Sequence, residues 1–142
     1  MAIYRRIYSS PEWREAYVRA AFHDPSFPVE ELKGDLGAGD YMLLQAAVAT
    51  QRRRLDHVLR IVDPRPGQLI ADVGCGPGGV ALRLADRGAR VLALDLDVDT
   101  LAAVRTLSQR QSRISVLVGD CRRLPIRTAS CDAAVCVNGE RA

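Results

Sequence analysis

Apolar residues in this 142-residue chain follow a helical period up to about Val62 and then break into short runs separated by glycine and proline. In the first part, Trp13, Tyr17, Ala20 and Ala21 fall on one face behind Ser10 and Pro11, which suit the cap and first position of a helix. That helix is predicted to end near Asp24-Pro25. Ser26 to Gly39 contains Pro28, Gly34, Gly37 and Gly39 and reads as a loop with a short helical turn at Glu30 to Lys33; its length makes it a candidate flexible lid. From Asp40 onward, Leu44, Val48, Gln51, Leu55, Val58 and Val62 recur in alternating four- and three-residue steps, the signature of a helix with one buried stripe. Arg52-Arg53-Arg54 reads as a solvated helix face, with a docking patch for an anionic substrate or partner as the alternative. Pro64-Arg65-Pro66-Gly67 stops the helix.

Beyond Gly67 the pattern alternates. Gln68 to Val73, Arg90 to Leu94, Arg113 to Val118 and Cys131 to Val137 are strand-length apolar runs. Between them, Val80, Leu84 and Ala85 predict a helix ending at Gly88, and Asp97 is placed to cap a helix through Leu101, Val104 and Leu107. Strands alternating with helices imply an α/β fold, a parallel sheet with helices on both faces. The expected organisation is a helical cap or lid over residues 1–66 and a sheet region over residues 67–142.

Composition narrows the class. With 48% hydrophobic and 26% charged residues, the chain has the balance of one globular domain with one core. Its net charge of +3, with acidic residues interspersed throughout, is too mild to point to a nucleic-acid partner. No apolar run approaches the roughly 20 residues of a membrane-spanning helix, and the first residues lack a signal-peptide pattern, so a cytoplasmic setting and no membrane partner are expected. Cys75, Cys121, Cys131 and Cys136 form no Cys-x-x-Cys pair, and His23 and His57 lie far upstream. Reduced thiols, with no metal site and no disulfide, are the expectation.

The chemistry collects where an open parallel sheet opens its ligand crevice, at the carboxyl ends of the strands. The first strand runs into Asp72-Val73-Gly74-Cys75-Gly76-Pro77-Gly78-Gly79, a turn whose glycines let the backbone approach a ligand closely. Asp72 at its base suits a ligand carrying a positive group. Asp95 ends the second strand 21 positions beyond Gly74, where such folds present a carboxylate to ribose hydroxyls. Asp120 ends the third and could accept from an adenine amine, with the Cys121 N–H meeting a ring nitrogen. Asp97 and Asp99 read as helix-start residues and Asp132 as a strand-start residue bonded to nearby backbone. A dinucleotide remains the rival ligand, since Gly74, Gly76 and Gly79 with Asp95 also satisfy its fingerprint.

Taken in order, Ala71 to Gly78, Leu94 to Asp97, Val118 to Cys121 with Leu124-Pro125, and Ser130 to Ala133 resemble a class I S-adenosylmethionine-dependent methyltransferase of the small-molecule type. The resemblance spans about Gln68 to Asn138. It implies that Asp72, Gly74, Cys75, Gly76 and Gly78 cradle the methionine portion of S-adenosylmethionine. Asp95 then holds the ribose hydroxyls, Leu96 and Cys121 flank the adenine that Asp120 reads, and Asn138 lies near the methyl group. Trp13, Tyr17 and Tyr41 read as packing the helical cap against the sheet, with one of Tyr4, Tyr8 and Tyr41 closing over the sulfonium by a cation–π contact as the alternative. The implied acceptor is a small molecule, and no catalytic base is assigned. The family's sheet usually has seven strands, so a fourth strand so apolar is expected to be covered by another chain or by the remainder of a longer polypeptide. A cofactor-binding partner subunit without catalysis, or a nicotinamide-dependent oxidoreductase, are the alternatives.

Overall fold

The structure, a computed structural model, describes residues 10–137. The chain divides into two compact units, residues 1–56 and 57–142. The single core expected from length is therefore a correction: each unit has its own hydrophobic cluster.

The first unit is helical. Helix α1 (Pro11–Val18) starts where Ser10 Oγ accepts the Trp13 N–H at 3.2 Å, with Pro11 in its first turn. It runs into a π-helical turn, Arg19–His23, and stops at Asp24 as expected. Helix α2 (Ala38–Val62) begins two residues before the expected Asp40. Tyr17, Ala20, Ala21, Phe27, Leu32, Leu44 and Val48 form the core of this unit, with Trp13 and Tyr41 packed against it. The segment read as a flexible lid is tied into that core by buried Phe27 and by Leu32 at the end of the 3-10 turn Val29–Leu32. Along α2 the buried stripe passes through Leu44, Val48, Leu55 and Leu59, so Leu59 takes the place expected for Val58.

Arg52 corrects the reading of the arginine run. The π turn leaves the Ala20 carbonyl without its i+5 donor, because position 25 is proline and has no N–H. Arg52 Nε donates to that carbonyl at 2.9 Å, while its Nη2 donates to Phe27 O at 2.9 Å and to Asp24 O at 3.4 Å. Arg53 and Arg54 remain exposed, as a solvated face would be.

The second unit is a four-stranded, all-parallel sheet in the order β3-β2-β1-β4. Its strands are β1 (Leu69–Val73), β2 (Arg90–Asp95), β3 (Ile114–Val118) and β4 (Ala133–Val135). Helices α3 (Gly79–Asp86) and α4 (Val98–Arg110) make the crossovers β1-α3-β2 and β2-α4-β3. Both crossovers step the same way along the sheet, so their right-handedness sets the two helices side by side. They meet at Gly78, where a Cβ would lie 3.1 Å from both Val104 and Leu107 of α4. Gly78 also has φ +86°, so two constraints exclude a side chain there. Val80, Ala81, Leu84 and Ala85 bury the apolar face of α3, and Leu101 and Val104 that of α4.

Strand β4 is shorter than the expected Cys131 to Val137 and, among the described residues, pairs with β1 alone. Asp132 extends that pairing: its N–H donates to Leu69 O at 2.8 Å and its carboxylate accepts the Leu69 N–H at 2.7 Å. The backbone it bonds is 63 positions away in sequence. No helix among the described residues is long and apolar enough to cross a membrane.

Replacing Arg52 by Met should destabilise the chain by about 1–3 kcal/mol, since it strips a charged donor from buried carbonyls. Arg53→Met should change stability by less than about 0.5 kcal/mol. Urea unfolding of the two variants against the parent protein measures both.

Candidate functional site

The crevice is expected at the carboxyl tips of β1, β2 and β3, which the strand order makes neighbours. The glycine turn after β1 is sewn to the tip of β2. Gly74 N–H and Cys75 N–H both donate to Leu94 O, at 2.8 and 2.9 Å, and Gly76 N–H donates to Asp95 Oδ2 at 3.0 Å. Asp95 Oδ1 accepts the Asp97 N–H at 3.0 Å, which fixes the chain as it turns into α4. On the other side, Gly119 N–H donates to Asp95 O at 3.0 Å and ties in the tip of β3. A Cβ on Gly119 would lie 2.7 Å from Pro125 Cδ, so glycine is required for the β3–β4 connection to fold back there.

Over Gly76, by contrast, a Cβ would meet nothing within 4 Å. The turn therefore presents open space directly above a backbone held by Asp95. Three large apolar side chains that follow or end the β2 and β3 strands are exposed: Leu96 is 63% exposed, Val98 53% and Val118 43%.

Asp72 is the unusual group. It is 1% exposed, its Oδ2 has no hydrogen-bond partner, and its carboxylate is met by the Ala81 N–H from the first turn of α3. Burial pushes its pKa up to about 7; the Ala81 N–H opposes this and the neighbouring Asp95 charge adds to it. Burial, and then the charges of Asp72 and Asp95, also raise the Cys75 thiol far above its usual range, so Cys75 is an inert packing group.

Asp120 is engaged differently from the expectation. Arg122 grips it as a fork, with Nε 3.1 Å from each carboxylate oxygen and Nη2 2.8 Å from Oδ2, while the Arg122 N–H reaches Oδ1 at 2.9 Å. These bonds, those of the Arg122 side chain first, bring the Asp120 pKa down to about 2. Arg122 is a participant that the sequence reading missed, and an Asp two residues before an Arg in a turn was the available signal. Cys121 is exposed beside it. Asn138, Tyr4 and Tyr8 lie outside the described residues, and Tyr41 sits in the helical unit with Lys33 Nζ 5.8 Å from its ring centre.

Asp97 caps α4 as expected. Its side chain accepts from Thr100 Oγ1 at 2.8 Å and from the Asp99 N–H at 2.9 Å, bonds that hold its pKa below the usual carboxylate range. The four cysteines are free, and no group of metal-ligating side chains occurs among the described residues.

Residues 70–141 match the profile of a methyltransferase domain family. The chain belongs to that family. Among curated proteins it is 37% identical over 95 residues to a malonyl-[acyl-carrier protein] O-methyltransferase of Serratia marcescens, covering 67% of this chain and 35% of that protein. It is 38% identical over 68 residues to a 23S rRNA (uracil(1939)-C(5))-methyltransferase of Thiobacillus denitrificans, covering 48% of this chain and 16% of that one. Among solved structures, a putative S-adenosyl-L-methionine-dependent methyltransferase of Methanococcus maripaludis superposes with a TM-score of 0.52 at 21% identity, over 60% of this chain and 40% of that chain. This methyltransferase domain thus spans about a third of the length of the first of these relatives.

S-Adenosylmethionine is the cofactor this family membership implies, and the tips of β1 and β2 fit it. An ammonium and a sulfonium suit an orphaned, buried carboxylate oxygen two residues before the glycine turn, whereas a pyrophosphate at that turn would be repelled by Asp95, whose carboxylate accepts the Gly76 N–H. The dinucleotide alternative is set aside on that charge argument and on the family match.

A carboxyl whose pKa is raised by folding stabilises the fold fully below its unfolded value of 3.8, and that contribution is lost as pH rises through about 7. The ligand-free protein should therefore lose stability between about pH 4 and 7, by at most about 4 kcal/mol. Asp72→Asn should flatten this dependence and raise the thermal midpoint above pH 7. Thermal unfolding across that pH range checks both.

Proposed function

We propose that this domain binds S-adenosylmethionine at the tips of β1, β2 and β3 and serves transfer of its methyl group to a small-molecule acceptor. The observation that carries the reading is the buried Asp72 carboxylate, one oxygen unpartnered, beside a glycine turn that Asp95 pins open. In this reading Asp72 supplies negative charge to the methionine end, and the backbone of Gly74, Cys75, Gly76 and Gly78 lies against it. Asp95 receives the ribose hydroxyls: each of its carboxylate oxygens already takes one backbone N–H and has a further lone pair free for one more donor. Leu96 and Cys121, both exposed, flank the adenine.

When bound, S-adenosylmethionine supplies an activated methyl group on a positive sulfur. The work left to this chain is holding and orienting: acid–base chemistry on the acceptor is not asked of Cys75, whose thiol stays protonated, nor of Asp72, which this reading assigns to the methionine end of the cofactor. The small-molecule reading is supported by the longer match to the malonyl-[acyl-carrier protein] enzyme than to the rRNA enzyme, and by the mild, interspersed charge. The free edge of β4 would be covered by a further strand, from this protein or from a partner copy or subunit.

Calorimetric titration of the chain with S-adenosylmethionine tests the reading, and absence of binding refutes it. Asp95→Ala should weaken binding by about 10- to 100-fold, because hydrogen bonds to a charged group contribute roughly 1.5–3 kcal/mol each. Asp99→Ala, at an exposed helix start, should change it less than about twofold; equal losses would remove the ribose assignment.

The adenine assignment has its own check. For Asp120 to read the base amine, Arg122 must let go of it, and an exposed ion pair of this kind holds weakly. Arg122→Ala should therefore tighten cofactor binding by up to about fivefold, measured in the same titration. Weaker binding would show instead that Arg122 itself supports the ligand.

A further inference from the structure

We propose that Asp72 is a proton-linked binding residue: it holds a proton while the site is empty and gives it up to solvent when the cationic methionine end of the cofactor arrives. The inference rests on the cofactor reading above and deepens it. Holding the cofactor would then depend on pH through this one buried group.

The geometry argues it from every side. Within the sheet, Asp72 stands in register between Ala93 of β2 and Val135 of β4, both without charge. From the tip of β2 the charge of Asp95 repels a second negative charge, and from the turn Cys75 contributes only a neutral thiol. From α3 it receives one backbone N–H, that of Ala81. One oxygen is thus satisfied and the other, Oδ2, has nothing. A bare carboxylate in that position pays the full cost of burial with a single donor and a like charge nearby, whereas the protonated acid avoids both. The balance of charge around Asp72 reverses once an ammonium or sulfonium enters, since a nearby cation favours the ionised form. The proton shift from raised to ordinary acidity then appears as a proton released to the medium, with no other bond made or broken.

The pKa near 7 sets the scale. Binding should release about 0.9 protons at pH 6, about 0.5 at pH 7 and under about 0.1 at pH 8.5. Affinity should fall about tenfold per pH unit below 7 and level off above it.

The test is calorimetry of the 142-residue chain with S-adenosylhomocysteine, which keeps the ammonium, in buffers of different ionisation enthalpy at pH 6, 7 and 8.5. The dependence of heat on buffer reads the protons directly. Adenosine, which has the ribose and base without the amino-acid end, should bind with less than about 0.1 protons released at any of these pH values. Heat independent of buffer at pH 6, with S-adenosylhomocysteine bound, overturns the proton link while leaving the cofactor reading in place. Equal release with adenosine overturns the assignment to the cationic end. No binding of either compound overturns the cofactor reading and the link with it. Asp72→Asn, followed by its own pH-dependent unfolding, should remove both the proton release and the loss of stability toward pH 7; persistence of the release in that variant assigns the proton elsewhere and refutes the proposal.

Discussion

Everything around the crevice hangs on the tip of β2. Leu94 and Asp95 receive, through one carbonyl, a carboxylate and a second carbonyl, the N–H groups of Gly74, Cys75, Gly76, Asp97 and Gly119. Those donors come from three separate connections, after β1, after β2 and after β3. A glycine-rich turn has many conformations open to it, and these bonds select one. Because Asp95 uses its carboxylate for this purpose, the residue that would meet the ribose is also the one that shapes the turn beneath the methionine end. In the proposed reading, holding the loop and holding the ligand would be coupled through a single side chain.

Asp72 shows the opposite economy. Its neighbours in the sheet are apolar, its one backbone donor satisfies half of it, and Asp95 adds repulsion. Such a group weakens the ligand-free fold at neutral pH, and a buried carboxylate without a full set of donors calls for a physical reason, of which a bound ligand is one. Family membership implies a ligand carrying positive charge, the chemistry that would complete this group.

In the helical unit a different non-local constraint operates. A proline just past the π turn removes the N–H that the Ala20 carbonyl would use, and Arg52 reaches across from α2 to supply one. The same guanidinium fastens Phe27 and so the segment that leads to Leu32. Residues that look like a mobile flap by their proline and glycine content are thereby joined to the core of that unit.

Strands, helices, caps and the three acidic strand ends were legible in the amino-acid order, because each depends on local periodicity or on residues a few positions apart: Ser10 and Asp97 cap where expected, and the runs at Leu69, Arg90 and Ile114 pair in parallel. The family was legible for the same reason, since its motifs are short and ordered along the chain. Tertiary structure alone decided what Arg52 and Asp72 do. Arg52 became a backbone donor instead of a solvated charge, and Asp72 was left buried with an unused oxygen. The partners of these two side chains and their distance from water are set by segments remote in sequence, and no local pattern carries that information.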